Sequence, residues 1–86
     1  MFSIEVTGAF YIKVANIIAI EGKPYGNLKG KTLYDVNDKF KSYIVKGVAL
    51  VNKQEYISLT DSMTIQLEPG DYQAEELVGK TLVNFN

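Results

Sequence analysis

Cysteine, histidine, arginine and tryptophan are all absent from this chain of 86 residues. Without cysteine there is no disulfide framework and no thiolate metal site. Without histidine as well, neither a Ser-His-Asp nor a Cys-His nucleophile system can be assembled, and no zinc finger can form. Long apolar runs are missing too, none reaching the roughly 18 residues that a membrane span needs. The N-terminus does not open with the basic-then-apolar pattern of a signal peptide, so the expected compartment is the cytoplasm. These absences remove the common catalytic classes. The chain is expected to act by binding, not as an enzyme, with no cofactor and no metal.

What is present is an ordinary globular composition. An apolar share of 47% with 22% charged residues argues against disorder. The length sets one domain, residues 1–86, close to the lower limit for folding alone. Formal net charge is −1, no advertisement for nucleic acid, but its distribution is uneven. Residues 23–53 hold seven lysines against Asp35 and Asp38, a local balance of +5. Residues 54–86 hold six acids against Lys80, a balance of −5. Glu68, Asp71, Glu75 and Glu76 lack the spacing of a calcium loop and read as solvated turn acids.

Period-two patterning dominates. Phe2, Ile4 and Val6 alternate with Ser3, Glu5 and Thr7, as in a half-buried strand punctuated by Gly8. The apolar run over residues 10–20 is too long for one flat strand and predicts a bend or bulge near Ala15 and Asn16. Gly22, Lys23, Pro24, Tyr25, Gly26 and Asn27 form the strongest turn signal in the chain. Over residues 31–51, Thr32 and Asp35 imitate a capping box. The β-branched and aromatic content nonetheless favours two strands joined by a turn at Asn37, Asp38 and Lys39, with a short helix as the alternative. Strands are expected over residues 55–59 and 63–67, then a turn at Glu68, Pro69, Gly70 and Asp71. A final hairpin over residues 72–85 is expected to turn at Gly79 and Lys80. Six or seven short strands imply an all-β barrel or sandwich. Gly-Lys-Thr-Leu occurs twice, beginning at Gly30 and Gly79. Neither copy is a phosphate loop, since the required upstream glycine is replaced by Tyr25 or Ala74, and four residues are too few to argue a duplication.

Lysine repeatedly stands beside an aromatic residue: Lys23 by Tyr25, Lys31 by Tyr34, Phe40 between Lys39 and Lys41, Tyr43 before Lys46. Single-stranded nucleic acid is held by such pairs, ammonium groups on phosphates and bases stacked on rings. The competing reading makes the rings core and the lysines plain surface. It is weakest for Tyr25, between Pro24 and Gly26, and undecided for Tyr43.

Gly22-Lys-Pro-Tyr25 after an N-terminal strand pair resembles the signature hairpin of the single-stranded DNA-binding proteins of filamentous phages. Tyr34-Asp35, Phe40, Ile44-Val-Lys46 and the Pro69-Gly-Asp-Tyr72 turn extend the likeness. The resemblance implies a small five-stranded OB-like barrel with protruding hairpins. It also implies a homodimer and sequence-independent coating of the displaced viral strand during replication, in the cytoplasm of a bacterial host. Carried over, Tyr25 becomes a base-stacking ring, Tyr34 and Phe40 further aromatic contacts, and Lys23 and Lys46 phosphate partners, with Lys31 beside them. The family's hairpin arginines are replaced here by residues 16–21, an apolar stretch ending in Glu21. Either Lys29, Lys31, Lys39 and Lys41 substitute for them from the facing strands, or the fold is kept and DNA binding is weak or lost. The apolar stretch of residues 17–20 is then a candidate subunit interface. The alternative function, from another class, is a small phage or bacterial β protein that binds a protein partner as inhibitor or virion component.

Overall fold

The computed structural model describes residues 1–50 and 62–84. Among these residues the fold is all-β apart from one 3₁₀ turn. The strands are β1 (Phe2–Ile12), β2 (Ile17–Tyr25), β3 (Thr32–Asp35), β4 (Asp38–Leu50), β5 (Met63–Leu67) and β6 (Thr81–Asn84). All pairings are antiparallel, and the order β1-β2-β5-β4-β3-β6 returns to β1, so the sheet closes into a ring of six strands where five were expected. The strand expected over residues 55–59 lies outside the described residues. No described helix is long and apolar enough to cross a membrane.

The interior is filled from every strand. Phe2, Ile4 and Val6 of β1 meet Ile18 and Ile20 of β2, Leu33 of β3, Tyr43 and Val45 of β4, Ile65 and Leu67 of β5 and Leu82 of β6. The alternation expected for β1 holds as far as Val6. Gly8 does not end the strand; the pairing with β2 shifts register between Val6 and Gly8, a bulge that strengthens the local twist. Ala9, opposite Ile20, then packs against the core.

Four expectations are corrected. The run over residues 10–20 does not bend; it reverses. Ile12 pairs with Ile17 across a four-residue turn in which Asn16 takes φ 53°, a left-handed conformation that asparagine tolerates, and its N–H donates to the Lys13 carbonyl (3.2 Å). Gly22, Lys23, Pro24 and Tyr25 are not a turn but the end of β2, with Pro24 opposite Ile4. Proline is admitted there because β5 stops pairing at Gly22, so the missing N–H is not needed on that side. The actual turn follows, with Gly26 at φ 82° and Gly30 at φ 80°. Third, the segment expected as a strand over residues 72–77 contains the 3₁₀ turn Ala74–Glu76. Ala74 and Leu77 are both buried, and their spacing of three suits a helix with three residues per turn. Fourth, no hairpin closes at Gly79 and Lys80; β6 instead inserts between β1 and β3. The β3–β4 hairpin forms as expected, without the alternative helix. It turns at Val36 and Asn37, one residue earlier than expected, and Asp38 and Lys39 already belong to β4. The turn after β5 is also as expected, closed by the Tyr72 N–H on the Pro69 carbonyl (3.0 Å).

The repeated Gly-Lys-Thr-Leu has a structural counterpart. Each copy opens one of two neighbouring strands, β3 and β6, from a glycine at positive φ, Gly30 and Gly79. Leu33 and Leu82 are equivalent, and both are fully buried. Tyr34 pairs with Val83, its own equivalent, so a local two-fold axis passes between the strands. Asp35 and Asn84, each five residues after its glycine, are the two buried polar residues of the described chain. The axis breaks at these two. Asp35 Oδ2 accepts from Lys80 Nζ at 2.6 Å, whereas Asn84 is neutral and donates to the Thr32 carbonyl (2.8 Å).

Candidate nucleic-acid interface

Directly paired residues on neighbouring strands share a sheet face. Tyr25 pairs with Ser3, Ser3 with Val83, Val83 with Tyr34 and Tyr34 with Ser42. These pairings place the five residues on one sheet face, opposite the core-facing Phe2, Ile4 and Leu82. The row runs from the end of β2 to the start of β4, with the buried Val83 between Ser3 and Tyr34. Tyr25 and Tyr34 are three strand spacings apart along it, about 14 Å. Lys23, two residues before Tyr25, lies on the same face and opposite Glu5. Its ammonium sits 5.6 Å from the Tyr25 ring centroid, a cation–π distance. Tyr25 is 47% exposed, so one face of the ring remains open to a ligand.

Phe40 lies beyond the row, where the β3–β4 pairing is irregular between Tyr34 and Asp35. Asp38 Oδ1 accepts the Phe40 N–H (3.1 Å) and fixes the backbone there. The Phe40 ring is 99% exposed, with Lys39 and Lys41 on either side in sequence. A phenyl ring so placed contributes no burial to folding. Lys31 precedes β3; its carbonyl accepts the Val45 N–H (2.7 Å) while its side chain is exposed. Lys46 is also exposed, at the register shift between Val45 and Gly47 that faces β5. The structure therefore brings Lys23, Tyr25 and Tyr34 onto one face and puts Phe40 near its end. Lys31 and Lys46 lie together at the other end of the paired stretch of β3 and β4, just beyond the Thr32–Ile44 pair.

The structure decides Tyr43, which sequence left open, and places Lys80 and residues 17–20 differently from their sequence reading. Tyr43 is core: its ring centroid is 4.5 Å from that of Tyr72, and burial, with Tyr72 and the acids Asp35, Glu76 and Asp38 adding to it, pushes its hydroxyl up to about 12. Lys80, which looks in sequence like a lone lysine in an acidic third, is the partner of Asp35. Burial alone would raise the Asp35 carboxyl, but Lys80, the Asn37 N–H at 2.9 Å and the Lys41 charge together hold it below its ordinary value. Residues 17–20 are buried within the subunit and offer no interface. The exposed apolar surface is instead at the β1–β2 hairpin end, where Phe10, Tyr11, Ile12 and Val14 project. Sequence reasoning placed only a bend or bulge near Ala15 and Asn16, where the left-handed Asn16 ends a full reversal of the chain. Among the described residues no cluster of acids is disposed to hold a metal ion.

Compared with protein-family models, with curated proteins and with solved structures, the chain matches none.

Proposed function

We propose that this protein binds single-stranded DNA without sequence preference, as the filamentous-phage proteins it resembles do, and that its six-stranded ring is a variant of their OB-like barrel. The observation that carries this reading is the Lys23–Tyr25 unit, an ammonium 5.6 Å from a half-exposed ring on an outer sheet face. Bases stack on the open ring while the ammonium meets a phosphate. Tyr34 continues the path, and Phe40 with its neighbouring lysines extends it. Lys31 and Lys46 supply further phosphate contacts. The lysines take the place of the family's arginines, as compact charges without the bidentate fork.

Stacking on tyrosine quenches its fluorescence. Titration with oligo-dT at low salt is expected to give saturable quenching, lost in a Tyr25→Phe, Tyr34→Phe double variant although that variant still binds. No quenching and no shift in oligonucleotide anisotropy would remove DNA as the ligand.

A second reading, a protein-binding module, is favoured by the projecting Phe10, Tyr11, Ile12 and Val14, exposed apolar side chains gathered at the hairpin end. The same residues are the candidate subunit contact in the homodimer. Sedimentation of the free protein separates the two, since a homodimer is present without any partner.

A further inference from the structure

Away from the outer face, the inner side of the β1–β2 hairpin end and the segment after β5 enclose a pocket of about 490 Å³. Its walls are two tyrosine rings, Tyr11 and Tyr72, with Ile18 and Pro69, and its polar groups include the Asn16 and Gln73 amides and the Glu75 carboxylate. The volume suits a small ligand or one long side chain. Both rings are positioned by other contacts: Tyr72 packs on Tyr43, and the Tyr11 hydroxyl donates to Asn16 Oδ1 at 3.0 Å. That bond leaves the Tyr11 oxygen lone pairs as acceptors. Glu75 accepts only. Among the described residues no lysine lines the pocket, and Asp71 and Glu76 adjoin its lining in sequence. The Asn16 and Gln73 amides can donate to an anion, but no cation in the described lining offsets its charge. A cation finds electron-rich ring faces, acceptors and a carboxylate.

We propose that this pocket binds an organic cation, an alkylammonium or guanidinium group, between Tyr11 and Tyr72 with Glu75 as counter-charge. Two sources present this chemistry: a free polyamine, and a lysine or arginine side chain of a partner protein. The inference does not depend on the DNA-binding reading, because none of the residues assigned to DNA lines the pocket.

The test is a nitrogen–proton correlation titration of the whole protein with tetramethylammonium chloride at constant ionic strength, using tert-butanol as the neutral control of similar shape. Saturable shifts are expected at Gly70, Gln73 and the Asn16 side-chain amide with the cation only. Tyr11→Ala is expected to weaken binding about two- to fivefold, and Tyr11→Phe, which keeps the ring, to leave it within about twofold. Glu75→Gln is expected to weaken it and Glu68→Gln to leave it unchanged. Circular dichroism confirms that each variant is folded. Spermidine binding more tightly than N-acetyl-lysine amide assigns a free polyamine; the reverse order assigns a protein side chain. Equal shifts from tert-butanol, an unchanged affinity in folded Glu75→Gln, or a pocket that takes thymidine and not the cations would overturn the proposal.

Discussion

Asp35 is 3% exposed, yet its environment keeps it ionised. Lys80 at 2.6 Å and the Asn37 N–H at 2.9 Å satisfy one oxygen each, joining the β3–β4 turn to the start of β6. Its carboxyl is held below the ordinary value, so its ionised form adds stability that is complete above the unfolded carboxylate pKa of about 3.9. That stability is lost as pH falls through the lower folded value. Lys80→Met removes one partner of this pair and is expected to destabilise the fold by about 3 kcal/mol at neutral pH, measured by urea unfolding. The loss should shrink as pH falls through the lowered folded value, where Asp35 takes up a proton. Tyr25 predicts the opposite pattern. Half-exposed and at the end of a strand, it can be changed to alanine with little effect on melting temperature, while oligo-dT affinity falls by about 1–3 kcal/mol. If Tyr25→Ala unfolds the protein and leaves affinity per folded molecule unchanged, the ring is structural and its assignment to DNA is wrong.

At the scale of elements, Gly22 shows why a strong turn signal was misleading. A Cβ there would collide with the Glu5 carbonyl, because β1 and β2 approach closely beside the bulge. Glycine is required by proximity, not by a turn. Gly22→Ala is therefore expected to cost about 1–3 kcal/mol, read as a lower urea midpoint with an unchanged slope. Strands legible in sequence were β1, from Phe2, Ile4 and Val6, and the expected strand over residues 63–67. What was not legible depended on three-dimensional neighbours. Pro24 sits in a strand only because β5 ends at Gly22. Leu77 reads as the end of a strand, but the alanine and glutamates before it have little strand preference, and it enters the core from a 3₁₀ turn. For the candidate interface, sequence adjacency of lysine and aromatic found Lys23 with Tyr25 and the exposed Phe40. It could not tell that Tyr43 points inward, nor that Lys80 has a buried partner 45 residues away.

For the whole molecule, the central claim is that an acidic protein with net charge −1 binds a polyanion through a local excess of lysine. This demands a particular dependence on salt. Each lysine that neutralises a phosphate of single-stranded DNA releases counterion, and log K falls with log salt by about 0.7 per contact. With three or four lysines engaged from Lys23, Lys31, Lys46 and the Phe40 neighbourhood, the slope is expected to be roughly −2 to −3. Lys80 cannot serve as a neutral reference, since its loss acts on the fold through Asp35. Lys13, exposed in the β1–β2 turn and away from the Tyr25–Tyr34 row, can. The most direct measurement is oligo-dT affinity across a salt series for the wild type, Lys23→Met and Lys13→Met. The account predicts a slope shallower by about 0.7 in Lys23→Met and unchanged in Lys13→Met. A flat salt response in the wild type, or equal changes in the two variants, would contradict it.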